Sequence, residues 1–264
     1  MNVLIKLIKK NSSSMLQGFK LPFSLINFFQ VQTKVEYIKI AVNIFLGKFI
    51  NMAVMFMPLK LLFVLTGTKN IEILAKIESA IGRGYYIGFI LVTLFILYVS
   101  NIILQIYRVK LVRLQSGNIE DKDYVFYDKL VSSNLVKATY PSYCQVLGDF
   151  TIILVVLLCL FSLHAYFSIY FLSVILFFSL VYEQWVFSSH ETNLMKKLGI
   201  DKKSFIQVMS MMMFLVLFIG LILVVLTTEV GVIKAILLLL LVRLANSSFK
   251  SYLSCHMKLR ECYL

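Results

Sequence analysis

Residues 150–187 read FTIILVVLLCLFSLHAYFSIYFLSVILFFSLVYEQWVF, and in these 38 residues Glu183 is the one charged side chain. A bilayer core about 30 Å thick is crossed by about 20 apolar residues, each adding about 1.5 Å. The run is nearly twice that long. It predicts two spans folded back on each other at the polar patch formed by Ser162, His164 and Ser168. The chain is therefore expected to be a polytopic membrane protein of the all-α class.

Composition points the same way. Of 264 residues, 60% are hydrophobic and 22 are Phe, with a mean hydropathy of +0.88, which no soluble globular domain shows. The length suits about six spans and leaves too little for a soluble catalytic domain. The net charge of +13 sits between apolar runs and not along one face, so it reports membrane topology and not nucleic-acid binding. Three prolines and 11 glycines leave no room for a linker, and no internal repeat is visible. MNVLIKLIKKNSSSMLQGF at 1–19 scatters lysines through its apolar positions and has no small-residue cleavage site, so no cleaved signal peptide is expected. Cys144, Cys159, Cys255 and Cys262 lack metal-ligand spacing and are read as free thiols; no metal is expected.

Six spans follow from the apolar runs, at about 40–65, 85–107, 143–163, 166–187, 205–226 and 230–244. They form a transmembrane domain over 40–245, preceded by an interfacial segment at 1–39 and followed by a tail at 246–264. The basic residues orient it, because lysine and arginine are retained on the cytoplasmic side. Residues 1–39 and the loop 108–142 hold six each, and the loop 188–204 and the stretch from Arg243 hold four each. The opposite side holds Lys69, Lys76 and Arg83. Both termini are expected to be cytoplasmic, and a bacterial inner membrane is the expected location.

Between the spans, residues 2–30 mix apolar side chains with lysines and break at Asn11–Ser14 and Pro22, which predicts two short helices in the membrane interface. The loop 108–142 is expected to prolong the second span as a charged helix, turn at Ser116–Gly117, and form another short helix from Glu120. Its mixed charge is that of a solvated, partner-contacting surface, with Lys129, Lys137, Lys196 and Lys197 as docking candidates.

The sequence carries no phosphate-binding glycine loop, no GxSxG and no HExxH, so no catalytic residue is assigned and the chain is not expected to be an enzyme. Ionisable groups at membrane depth are costly unless they snorkel or find partners. Lys48 and Lys60 are twelve residues apart on the first span. They either snorkel or pair, or they line a polar path for an anionic substrate. Pro58 loosens the same helix by removing a backbone hydrogen bond. Asp149 opens the third span and Glu183 closes the fourth, with Arg243 or a loop lysine as the expected ion-pair partner. A proton- or cation-coupling role is the alternative for both acids. His164 reads as a polar turn residue, and Trp185, Tyr182, Tyr85 and Tyr86 as interfacial aromatics.

In its order of parts the chain resembles the membrane domain of an ABC exporter. The elbow helix would be about Leu21–Thr33. MFMPLKLLFVLTG at Met55–Gly67 is similar to the proline-containing end of that family's first span, and NLMKKLGIDK at Asn193–Lys202 to its second cytoplasmic loop. The loops here are shorter than in that family, and no Walker-type sequence follows the sixth span. The resemblance therefore implies a permease subunit exporting an amphipathic lipid, glycan or peptide, working as a homodimer or hetero-oligomer with a separate ATPase chain. ATP would enter only through that partner. The alternative is a membrane adaptor or assembly factor that transports nothing.

Overall fold

The computed structural model describes residues 20–33, 35–66, 82–127, 129–186, 201–228 and 231–263. Residues 20–32 form α1, whose last turn, Phe28–Gln32, has π geometry. Then come α2 (Ile38–Thr66) and α3 (Arg83–Gly117), followed by a hairpin of β1 (Tyr124–Phe126) and β2 (Lys129–Val131). The remaining helices are α4 (Ser133–Leu163), α5 (Ala165–Val186), α6 (Lys202–Thr227) and α7 (Val232–Tyr263). Among the described residues six helices, α2 to α7, are long and apolar enough to cross a membrane. The chain is a polytopic helical membrane protein.

The opening stretch folds as its length requires. Helix α4 ends at Leu163 and α5 begins at Ala165, with His164 the single residue between them. His164 is extended, at φ −160°, which breaks the helix, and its Nδ1 accepts the backbone N–H of Phe167 at 3.2 Å. The imidazole thus caps one of the donors that a helix start leaves without an intrahelical partner.

Lipid tails are as apolar as leucine, so helices in a bilayer are held by close packing and not by exclusion of water. One such contact joins α5 to α6. The Tyr170 ring lies over Gly220, where an added Cβ would come within 2.2 Å of it, and the Tyr170 hydroxyl donates to the Val216 carbonyl at 2.8 Å. Another joins α2 to α4, where a Cβ on Gly148 would meet the Ile44 side chain at 2.7 Å.

Two buried clusters result. The first fills the α4–α7 bundle with aliphatic and phenylalanine side chains, among them Val156, Phe171, Leu217 and Val242. The second lies at the other end of α4 and α7 and is rich in aromatics: Phe28, Phe29, Phe126, Tyr140, Tyr143 and Tyr263. Phe28 meets Phe126 and Tyr263 edge-on, and Phe29 stacks on Tyr143 at 4.5 Å. Some hydroxyls here find partners: Tyr140 donates to the Glu36 carbonyl at 2.9 Å, and Thr139 and Tyr263 share a bond at 2.8 Å, whereas the buried Tyr143 hydroxyl has none among the described residues.

On α1, Leu21, Leu25 and Phe29 are fully buried in the aromatic cluster, whereas Phe23 is exposed. Two expectations are corrected here. Residues after Glu120 form a β-hairpin and not a short helix: YVF is aromatic and β-branched, KLV ends in β-branched Val131, and they pair Tyr124 with Val131 and Phe126 with Lys129. The last helix does not stop near Leu244 but continues to Tyr263, so 246–263 is helix packed into the aromatic cluster.

Candidate functional site

Helix α2 is apolar with a polar stripe. Asn43, Gly47 and Asn51 recur at four-residue steps and so share one face, with Lys48 beside them. Helix α3 carries the matching pattern in Asn101, Gln105 and Arg108. The two helices run antiparallel: Glu36 N–H donates to Gln115 Oε1 at 3.4 Å at one end, and Met57 and Leu61 pack on Tyr86 and Ile90 at the other. That register brings the two stripes together. They enclose a cavity of about 140 Å³ lined by Asn43, Gly47, Lys48, Asn51, Asn101, Leu104, Gln105 and Arg108.

One lining residue, Lys48, is held from behind by an ion pair. Lys48 Nζ donates to Asp149 Oδ1, which lies on α4 and is fully buried, whereas the lysine side chain keeps 22% of its surface exposed. The other oxygen, Asp149 Oδ2, accepts from Gln145 Nε2 at 2.9 Å, and the same amide reaches Ser251 Oγ on α7 at 3.3 Å. Three helices are joined through one carboxylate. Gly148 makes the geometry possible, since any side chain there would hold α2 away from α4 beside the ion pair. A buried carboxylate that loses its cation and hydrogen bonds is strongly destabilising, so this network is structural as well as available to a ligand.

Glu183 sits elsewhere. Its Oε2 accepts from Arg260 on α7 at 2.5 Å, with both side chains under 10% exposed. The expected pairing of Asp149 or Glu183 with Arg243 is thereby corrected. Arg243 is exposed and makes no ion pair among the described residues. The reason is the length of α7: it continues far enough to deliver Arg260, five turns beyond Arg243, to the end of α5.

The other sequence candidates separate from the pocket. Pro58 lies inside α2, which runs on through it to Thr66, and the Lys60 side chain lies outside the described residues. Lys129 is exposed on β2, and Lys137, on the first turns of α4, bonds Asp121 at 2.5 Å. The lysine lowers the Asp121 carboxyl below its ordinary range through that hydrogen bond and its charge. Lys196 and Lys197 lie outside the described residues. Among the described residues no three His, Cys, Asp or Glu side chains converge as metal ligands would.

Sequence reasoning found Lys48 and Asp149 but assigned them to different partners, and it missed Asn43, Asn51, Asn101, Gln105 and Arg108. The signal was present as two polar stripes at helical spacing in otherwise apolar helices. The expected helical continuation of the second span to Ser116–Gly117 is borne out, but Arg108 was counted with the charged loop and so not set beside Asn101 and Gln105. Set against known protein families, curated proteins and solved structures, the chain has no match.

Proposed function

We propose that the chain is a permease subunit of a membrane transporter, exporting an amphipathic substrate with a separate ATPase subunit as its motor. The observation that carries this reading is the polar cavity between α2 and α3, which is cationic, partly open, and flanked by exposed Leu46, Phe49, Ile102 and Ile106. Intramembrane charged groups that border a cavity are characteristic of substrate and ion pathways. A helix that served only to span would have no use for four carboxamides and two cations on one seam. Helix α3 adds a long apolar face, with Phe89, Phe95, Ile103 and Ile106 all more than half exposed, along which lipid or a second protomer can lie.

On this reading the end bearing the aromatic cluster faces the cytoplasm of a bacterial cell, since basic residues concentrate there. The hairpin and the adjoining Lys129 and Lys137 would then meet the ATPase. The test is isolation of the full chain from its native membrane in mild detergent, followed by reconstitution. Recovery of an ATPase with ATP-dependent movement of a labelled amphipath across the bilayer is the expected result. Consistent failure to recover any ATPase would sink it.

A second reading, an adaptor without transport, is favoured by the hairpin itself. Val125, Tyr127 and Leu130 are more than half exposed on a three-residue ladder at the polar end of the molecule. An adaptor loses its function when Lys129 and Leu130 are both changed to Glu and keeps it when Lys48 is changed. A permease is impaired by either change.

A further inference from the structure

We infer that the α2–α3 pocket is a binding site for a phosphate-class oxyanion, with Arg108 as its principal ligand and Lys48 as the second cation. This deepens the permease reading, on which it rests for the idea that the pocket takes substrate, by naming what enters.

The sign of the site comes first. Lys48 is balanced by Asp149, and both oxygens of that carboxylate are already engaged, by Lys48 and by Gln145. Arg108 has no carboxylate within ion-pair distance among the described residues, although it is half-buried on the pocket wall. The pocket therefore holds one unbalanced positive charge next to apolar helix faces, where an uncompensated charge is costly. An anion removes that cost.

The donors come next. A guanidinium presents paired N–H groups in a rigid plane that matches two oxygens of a phosphate, and an ammonium adds a compact positive charge. Asn43, Asn51, Asn101 and Gln105 each add a carboxamide with two N–H donors. Asn43 and Asn51 come from α2 and Asn101, Gln105 and Arg108 from α3, so donors border the cavity from both helices. No acid lines it.

Size limits the ligand. A cavity of about 140 Å³ is well below the roughly 300 Å³ from which drug-sized ligand pockets start, so a head group or a free ion fits and a whole amphipath does not. The rest of an amphipath would lie outside, against exposed Leu46, Phe49, Ile102 and Ile106 on the same two helices.

The experiment uses the full-length protein in phosphatidylcholine nanodiscs containing a minor fraction of phosphatidic acid, with lipid retention read by native mass spectrometry. A second arm titrates inorganic phosphate as competitor. Arg108→Gln is compared with Arg113→Gln, which removes the same charge five residues further along α3 and outside the pocket. Asn101→Leu removes a donor with no change of charge, and thermal melts establish that each variant is folded. The expected result is retention of phosphatidic acid by the wild type, lowered about tenfold by Arg108→Gln, less by Asn101→Leu, and unchanged by Arg113→Gln. Competition by inorganic phosphate identifies a site for the free ion as well; retention without competition identifies a site that requires the lipid. Equal losses in the two arginine variants, or no retention of either probe by the wild type, overturns the inference. Retention without transport leaves the site standing and removes the permease, whereas transport of another substrate without retention does the reverse.

Discussion

The ion pairs Glu183–Arg260 and Asp149–Lys48 are built from the same chemistry and placed in opposite settings. In the first both side chains are buried, and the bond ties α5 to α7. The second has an enclosed acid and a cation that keeps one flank open to a polar cavity, and its carboxylate is shared with Gln145. A sealed pair can only hold helices together. A pair with one open flank can hold helices and still present charge to something that enters.

The sharpest way to break this contrast is to remove the acid from the sealed pair. Glu183→Ala takes the Glu183 carboxylate away from a buried guanidinium and is expected to cost about 3–5 kcal/mol, read as a loss of thermal stability in detergent. Replacing both members, as Glu183→Leu with Arg260→Met, is expected to recover most of that loss. If the double variant melts as low as the single one, the pair does more than fasten two helices.

Lys48→Met should cost less, about 2 kcal/mol, because Asp149 keeps its bond to Gln145 and the lysine it loses borders a partly open polar cavity. A loss equal to that of Glu183→Ala, measured under the same conditions, erases the distinction between sealed and open pairs. Gly220→Ala probes a bilayer contact without charges. The Tyr170 ring must swing away and its bond to Val216 must lengthen, at a cost of about 1–3 kcal/mol. Arg108→Gln is expected to change the melting point least among these, within about 0.5 kcal/mol, since this arginine has no ion pair to lose among the described residues.

The exposed pair Asp121–Lys137 supplies the baseline. The Asp121 carboxyl is lowered in the folded protein, so whatever it contributes is present above the ordinary carboxylate value of about 3.9 and disappears as pH falls through its lowered folded value. Both groups are wet, and salt screens them. Asp121→Asn should leave the melting temperature unchanged at pH 7; a clear drop would show that the hairpin region is held by this pair.

Much of the architecture was legible because bilayer physics constrains length and charge so tightly. Residues 150–187 could fold only as a hairpin, and its turn fell at His164 within a residue of expectation. Pairings were illegible for a physical reason. Lys48 and Asp149 are 101 residues apart, and Glu183 and Arg260 are 77 apart, so only the packing of helices decides which charges meet. Hydropathy also ends a span where charge begins, while a helix continues as long as its backbone bonds are satisfied and its faces find neighbours. That difference shortened α7. The hairpin escaped notice because three-residue strands carry almost no periodic signal.

The contact of Tyr263 with Thr139, Phe28 and Phe126 has a consequence for biosynthesis. Its partners emerge early and midway through translation, yet the aromatic cluster cannot close until residue 263 has left the ribosome. Helices α2 to α6 must therefore enter the bilayer while Phe28, Phe29 and Tyr140 still lack part of their cover. Closure links chain segments far apart in sequence, which is the slow kind of contact to form. The aromatic cluster at that end is thus the last part of the fold to be completed.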